Sequence, residues 1–222
     1  MRTASEPEAG AAGEACSDVA AGTTLAGSIA RVEAFSDGVI AIVITIMVLE
    51  LKVPEAAGPE ALWRAWPTFL AYALSYGYIA IYWVNHHRLL AHARKPCASL
   101  VWSNMALLFA LSLVPFATAY LGEHHFVAFA ARLYLAAMLL PALAYVGLQS
   151  VVAATGDRSV AARTYHRATR RKGLVSALLY VLGFVVAGLS PALAIGCAAL
   201  VAVFHALPWS PLDRLFLGPR RH

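Results

Sequence analysis

Long apolar stretches alternate with short polar ones along the chain. The stretches lack the alternation of polar and apolar positions that is typical of β-barrel strands, and most have the length of a membrane-spanning helix. We therefore predict an all-α, polytopic membrane protein with six transmembrane helices per subunit. The predicted segments, numbered one to six, cover residues 29–52, 66–90, 98–121, 128–153, 174–189 and 191–207.

Segment one differs from the others because its first half carries charge. Arg31, Glu33 and Asp37 precede the 12 uncharged residues 38–49. Charge that faces lipid costs several kcal/mol, and so short a run is unable to cross a hydrocarbon layer of about 30 Å. We therefore predict that segment one is an inner helix, which the other segments screen from lipid.

The helical periodicity of segment one separates two faces. At about 100° per residue, Ile42, Ile46 and Leu49 lie within about 60° of one another. Thr45 lies beside them, whereas Asp37 lies about 140° from Ile42. The aliphatic face is either the core of a single-chain bundle or the lining of a pore, and the pattern alone leaves both open.

Composition and charge support a membrane protein and predict its orientation. Hydrophobic residues make up 60% of the chain and charged residues 13%, about half the charged share of a soluble domain. With six spans, 14 of the 17 lysines and arginines fall on one side of the membrane. The positive-inside rule then predicts that both termini are cytoplasmic, and the expected location is the plasma membrane. This asymmetry also accounts for the net charge of +5, so no nucleic-acid partner is predicted.

The domain organisation follows from these segments. Residues 1–28, rich in Ala, Gly and Glu, lack a signal-peptide pattern and are predicted to be a disordered cytoplasmic tail. Residues 29–210 are the predicted six-helix transmembrane domain, in which residues 156–172 form a basic loop and Pro115 kinks segment three. Residues 211–222 are predicted to be a short basic cytoplasmic tail.

Three segments carry motifs that occur together in one known family. They are Arg31, Phe35-Ser36-Asp37 and Leu49-Glu50-Leu51 in segment one, Trp83-Val84-Asn85-His86-His87-Arg88 in segment two, and Asn104 and Pro115-Phe116-Ala117-Thr118 in segment three. With these motifs the chain resembles the transmembrane protein 175 family, over roughly residues 28–210. Its members are potassium channels of bacteria and archaea, with a lysosomal relative in animals.

The resemblance implies a homotetramer with segment one lining a central pore. One six-helix unit is unable to enclose such a pore, so several copies are needed, and the family implies four. Ile42, Ile46 and Leu49 would then form an apolar constriction that gates by dewetting. The family has a pore threonine at the position of Thr45, which contributes to selectivity for potassium. The alternative for Thr45 is a hydrogen bond to a carbonyl four residues earlier.

The resemblance also implies the permeant ion and the partners. The sequence has no TVGYG motif, so a carbonyl-lined filter is not predicted and the preference for K⁺ over Na⁺ should be weak. The animal relative implies proton conduction as well, which no residue here indicates by itself. The expected partners are potassium ions, the lipid bilayer and further copies of the chain, and no cofactor is expected.

Asp37 lies away from the aliphatic face and needs hydrogen-bond donors from neighbouring helices. The resemblance implies a structural network that anchors segment one to segments two and three. The predicted members of this network are Arg31, Phe35, Ser36, Asp37, Trp83, Asn85, His86, His87 and Asn104.

Other functions fit the sequence less well. A secondary transporter or proton-coupled carrier typically has inverted repeats and broken helices, and here only Pro115 and Pro191 indicate breaks. A membrane scaffold without ion flux is a third possibility. The adjacent pairs His86-His87 and His124-His125 diverge on a helix, so no metal site is predicted. No GxSxG, Walker or dinucleotide motif occurs in the sequence, so no enzyme is predicted.

Overall fold

The computed structural model describes residues 28–156 and 159–206, and every regular element in these ranges is an α-helix. The predicted tails, residues 1–28 apart from Ser28 and residues 211–222, lie outside the described residues. The helices are α1 (Ile29–Leu49), α2 (Pro59–Arg64), α3 (Trp66–Leu90), α4 (Ala98–Ser112), α5 (Val114–Glu123), α6 (Ala128–Thr155), α7 (Val160–Val186) and α8 (Pro191–Ala206).

Six long helical rods follow the six predicted segments, and α4 and α5 together make the third. This arrangement confirms the predicted all-α fold. Among the described residues, α1, α4–α5 and α6 are each long and apolar enough to cross a membrane, and α8 is a shorter apolar helix. The short α2 was not predicted from the sequence.

Proline determines two features of the rods. Pro115 lies in the first turn of α5, where the third rod breaks at Leu113. Because proline lacks an N–H and crowds the preceding turn, this is the predicted position of the kink. Pro141, in contrast, is buried within α6, which stays a single helix, as is common for proline in membrane helices.

The prediction of a basic loop over residues 156–172 is wrong from Val160 onward, because the chain is helical there. Ser159 caps the helix, and its hydroxyl accepts a hydrogen bond from the backbone N–H of Ala162 at 3.1 Å. Alanine, arginine and lysine are good helix formers. A charged sequence is therefore compatible with a helix that continues from the membrane into water. Ala162 and Ala168 are buried, so this extension packs on the bundle.

The helix α6 lies at the centre of the bundle, where it packs against α4, α5, α7 and α8, whereas α1 packs against α3, α4 and α5. Tyr134, Leu135 and Met138 of α6 are almost completely buried. Helices α3 and α5 approach closely at Gly122, where an added Cβ would lie 2.8 Å from the Thr68 Cα. The outer position of α1 leaves part of that helix without a partner.

Candidate functional site

The outer face of α1 is an exposed apolar stripe. Ile42, Ile46 and Leu49, which the wheel places together, are 58%, 41% and 78% exposed. The opposite side of the helix, with Val43 and Met47, is buried against the bundle. Only 22% of the most apolar window of α1 is buried, against 56% in α4–α5 and 50% in α6. The chain by itself therefore leaves this face uncovered.

Thr45 lies at the edge of the stripe and is exposed. Its Oγ1 donates a hydrogen bond to the carbonyl oxygen of Ile42 at 2.9 Å. This is a back-bond within the helix, to the third residue before it instead of the fourth. A hydroxyl oxygen keeps acceptor lone pairs after it has donated its hydrogen. Thr45 thus presents a partial negative charge beside the apolar stripe.

A buried polar network lies on the other side of α1, near its start. The Nδ2 of Asn104 donates to the Oγ of Ser36 at 2.9 Å, and the Oγ of Ser36 donates to the carbonyl of Val32 at 2.8 Å. The Nε2 of His86 lies 2.7 Å from the Oδ1 of Asn104. Because that oxygen accepts, the Nε2 of His86 carries the hydrogen. Ser36, His86 and Asn104 have no exposed surface.

Two further contacts tie α1 to α3. The Nε1 of Trp83 donates to the Oδ1 of Asp37 at 2.9 Å, so Asp37 has a donor on the neighbouring helix. Glu33 pairs with His87 one turn closer to the start of α1. The structure thus brings together α1, α3 and α4 at the end where α1 begins.

Three residues of the predicted network lie elsewhere. Asn85 lines a separate cavity, and its backbone carbonyl accepts a hydrogen bond from Tyr145 at 3.1 Å. Phe35 is exposed, and with Arg31 it borders a shallow groove beside Val101 on α4. On the helical wheel Arg31 and Phe35 belong to the same side as Ile42, which explains their position.

Sequence reasoning missed a second buried cluster, which joins α3, α5 and α6. The hydroxyl oxygens of Thr118 and Ser75 lie 2.7 Å apart, and those of Ser75 and Tyr134 lie 3.0 Å apart. One helical turn along α3, the hydroxyl of Tyr78 donates to the carbonyl of Met138 at 2.5 Å. The signal available was the spacing of Ser75 and Tyr78, which puts two hydroxyls on one face of an otherwise apolar helix. Glu33 was likewise not assigned a partner.

At the opposite end of α1, an ion pair joins the following loop to the end of α5. The Nζ of Lys52 contacts a carboxylate oxygen of Glu123. The hydrogen bond and the charge of Glu123 raise the pKa of Lys52 above its usual value. This pair is largely exposed to solvent. Solvent screening therefore makes it a weak connection.

The arrangement of helices, apolar surfaces and buried polar contacts defines a multi-pass, all-helical membrane protein. Within residues 28–156 and 159–206, no three His, Cys, Asp or Glu side chains come together as a metal site would require. What distinguishes this bundle is α1, whose inner side is polar at Ser36 and apolar further along, and whose uncovered face is an apolar stripe.

Comparison with known proteins places the bundle in a family. A sequence model described as "Endosomal/lysosomal potassium channel TMEM175" matches residues 31–115. A protein named as a potassium channel from Chryseobacterium sp. strain P1-3 is 42% identical over 185 residues, which are 83% of this chain and 95% of that protein. The chain belongs to the TMEM175 family.

A solved structure and an animal relative agree with this assignment. The crystal structure of a lysosomal potassium-selective channel TMEM175 homolog from Chamaesiphon minutus is 31% identical, with a TM-score of 0.73, over 81% of this chain and 96% of that one. The human endosomal/lysosomal proton channel TMEM175 is 38% identical over 95 residues, which are 37% of this chain and 18% of that protein. The predicted family resemblance is confirmed, and the family is one of ion channels, not enzymes.

Proposed function

We propose that four copies of this chain form a cation channel that conducts K⁺ in preference to Na⁺, with α1 of each copy lining a central pore. The observation that carries the proposal is the uncovered apolar face of α1. A single bundle has no central path, and cyclic assembly around this face would cover it and create one. Support also comes from the relatives from Chryseobacterium and Chamaesiphon, which are named as potassium channels.

Ile42, Ile46 and Leu49 form the constriction in this assembly. Four isoleucines around an axis make a narrow apolar ring, in which an ion loses water without gaining other ligands. Isoleucine is branched at Cβ and stiff at χ1, so the ring keeps its shape. Opening then requires that the ring widens or becomes wet.

Thr45 supplies the selectivity of this pore. The sequence has no carbonyl-lined TVGYG filter, and Thr45 is an exposed polar side chain beside the stripe. Four hydroxyl oxygens favour the cation that loses its water more easily, which is K⁺. Dipoles of this kind are weaker ligands than a ring of carbonyls, so the preference is modest.

The buried contacts of Ser36, His86 and Asn104 hold α1 in register against α3 and α4. The more exposed bond between Asp37 and Trp83 adds to them. In this role Asp37 is a structural residue and not an ion ligand, because its carboxylate is bound to Trp83 on the far side from the stripe. Glu33 joins them through His87. Their common position on the inner side of α1 leaves the apolar face free to meet other copies.

The channel operates in the plasma membrane with both termini cytoplasmic. The distribution of basic residues supports this orientation, as do the alternating directions of consecutive rods, which put the start of α1, the end of α3 and the start of α4 at one end. The name of the human relative supports protons as a second permeant ion. Chemistry at a cofactor or metal has no part in this function.

The sharpest test of the pore assignment is Ile42→Asn. Four amides would hold water and solvate an ion in the ring, so the dewetting barrier should fall and the discrimination between K⁺ and Na⁺ should weaken. Each 1.4 kcal/mol removed from the barrier raises flux about tenfold. The measurement is K⁺ and Na⁺ flux in liposomes, normalised to folded tetramer, with proton flux recorded beside it.

Leu143→Asn is the matched control, because Leu143 of α6 is 55% exposed but lies outside the α1 stripe. It should leave flux per tetramer unchanged. If flux per tetramer falls or stays level for Ile42→Asn, Ile42 is not the constriction. A fall is what a packing residue predicts, since buried Asn without partners destabilises a bundle. Flux that saturates and requires a counter-ion would indicate a secondary transporter.

A further inference from the structure

A cavity of about 370 Å³ lies inside the bundle, apart from the exposed stripe. Its walls come from α3, α6, α7 and α8, and none of its lining residues belongs to α1. The volume is within the range of pockets that bind small molecules. The proposed pore makes no use of this space, so the cavity needs an explanation of its own.

One part of the wall is aromatic. The cavity is lined by five tyrosines, which are Tyr78, Tyr82, Tyr145, Tyr165 and Tyr180. The rings pack on one another, with centroids of Tyr78 and Tyr82 4.7 Å apart and those of Tyr82 and Tyr145 5.8 Å apart in an edge-to-face contact. Tyrosine rings are apolar on their faces and polar at their tips, as are the residues that line the interface between hydrocarbon and head groups.

Another part of the wall is cationic. Arg88, Lys172 and His205 all line the cavity, and no Asp or Glu is among the described residues that line it. Within the described residues no carboxylate forms an ion pair with Arg88. Asn85 and Thr169 add neutral hydrogen-bonding groups. Two permanent positive charges, with no carboxylate among the described lining residues, make this space favourable for an anion.

The aromatic wall begins at the basic end, where Tyr145 and Tyr165 lie near Arg88, and continues into the bundle toward Tyr78. Arg88 comes ten residues after Tyr78 on the same helix, which corresponds to about 15 Å along α3. The basic end belongs to the side where α3 ends and α7 enters the bundle, which is the side rich in lysine and arginine. Basic pockets between membrane helices on that side are suited to the head groups of anionic lipids.

We propose that this cavity binds an anionic phospholipid of the basic-residue-rich leaflet. Arg88 and Lys172 contact the phosphate, while Asn85 and Thr169 offer hydrogen bonds to the head group. The faces of the tyrosines pack against the glycerol region and the first methylenes of the acyl chains. The lipid would thereby contact α3, α6, α7 and α8, at a place away from α1.

Lipid binding to the purified protein tests this proposal, whether or not the protein conducts ions. Phosphatidylglycerol and phosphatidylcholine are titrated separately into the detergent-solubilised protein, and bound lipid is counted by native mass spectrometry. The wild type should retain phosphatidylglycerol in preference to phosphatidylcholine. Arg88→Gln combined with Lys172→Gln should weaken the binding of phosphatidylglycerol about thirtyfold.

The control is Arg170→Gln combined with Arg171→Gln, which removes the same charge from exposed positions of α7 outside the cavity. A cavity site predicts that this control binds phosphatidylglycerol like the wild type, and equal loss in both double variants would overturn it. Ala202→Phe fills the cavity while it keeps the basic residues, so it should also reduce binding, and unchanged binding would contradict the proposal.

Inorganic phosphate distinguishes a lipid from a soluble anion. An excess of phosphate should displace phosphatidylglycerol weakly, because phosphate has no part that packs against the tyrosines. Complete displacement by phosphate at concentrations equal to those of the lipid would mean that the cavity is a site for soluble anions. That result would refute the assignment to phospholipid.

Discussion

Asn104 connects α1 and α4 through buried hydrogen bonds. Its amide donates to Ser36 at 2.9 Å and its carbonyl oxygen lies 2.7 Å from the Nε2 of His86, and all three residues are fully buried. Replacing Asn104 with alanine removes both hydrogen bonds. Ser36 keeps its bond to Val32. His86 does not keep one, because its Nδ1 has no partner among the described residues.

The cost can be estimated from the two lost bonds. Hydrogen bonds between membrane helices contribute about 0.6 to 1.7 kcal/mol each. The loss of two such bonds should lower the free energy of unfolding of Asn104→Ala by about 1 to 3 kcal/mol. The upper value is expected because the buried N–H of His86 loses its acceptor. The assay is reversible unfolding in mixed micelles with increasing denaturing detergent, followed by circular dichroism.

Asn85→Ala, measured in micelles without anionic phospholipid, is the matched control, because the side chain of Asn85 lines the cavity and makes no hydrogen bond within the described part of the chain. It should unfold at nearly the wild-type concentration of denaturant. A double-mutant cycle with His86→Ala then isolates the direct bond, and we expect a coupling energy of about 1 kcal/mol. If Asn104→Ala matches Asn85→Ala and the coupling is zero, the network does not stabilise the fold.

Three further substitutions test neighbouring features. Asp37→Ala removes the partly exposed bond to Trp83, so it should cost about 1 kcal/mol of stability and lower the tetramer yield. The K⁺-to-Na⁺ permeability ratio should not change; normal yield with an altered ratio would make Asp37 an ion ligand. Thr45→Ala should reduce the K⁺-to-Na⁺ permeability ratio, while the pore still conducts. An unchanged reversal potential under bi-ionic conditions would exclude Thr45 from selectivity. Gly122→Ala should destabilise the bundle by about 1–3 kcal/mol, because its Cβ would clash with Thr68. Thermal unfolding measures this effect, with Gly147→Ala as the control because an added Cβ there meets no neighbouring atom within 4 Å.

The ends of the helices could be predicted wherever local chemistry determines them. Predicted segment two coincides with α3 because Trp66-Pro67 begins it and polar residues follow Leu90. The break of the third rod follows from Pro115 alone. The first half of α7 was mistaken for a loop because its charge was read as a sign of exposure. Charge indicates contact with water, and a helix that leaves the membrane meets water as readily as a loop does.

In the candidate site, too, only the features that depend on local sequence could be predicted. The apolar stripe of α1 is a property of one helix, so its periodicity was sufficient to find it. The partners of Asp37 and Ser36 lie 46 and 68 residues away in sequence, and a single sequence does not show which donors meet which acceptors. Asn85 was therefore grouped with His86, although adjacent residues on a helix point about 100° apart. The pairing of Glu33 with His87 was missed for the same reason.

The two ends of α1 are held by interactions of different strength. At its start, Ser36 joins it to Asn104 through a hydrogen bond without exposed surface, and breaking such a bond leaves buried polar groups unsatisfied. Beyond its end, the exposed pair of Lys52 and Glu123 is screened by solvent, so it contributes much less. Between these two ends, Val43 and Met47 are buried in apolar contacts. Such contacts are not directional, unlike hydrogen bonds. Motion that widened a ring at Ile46 or Leu49 would therefore cost least if α1 pivoted about its polar start.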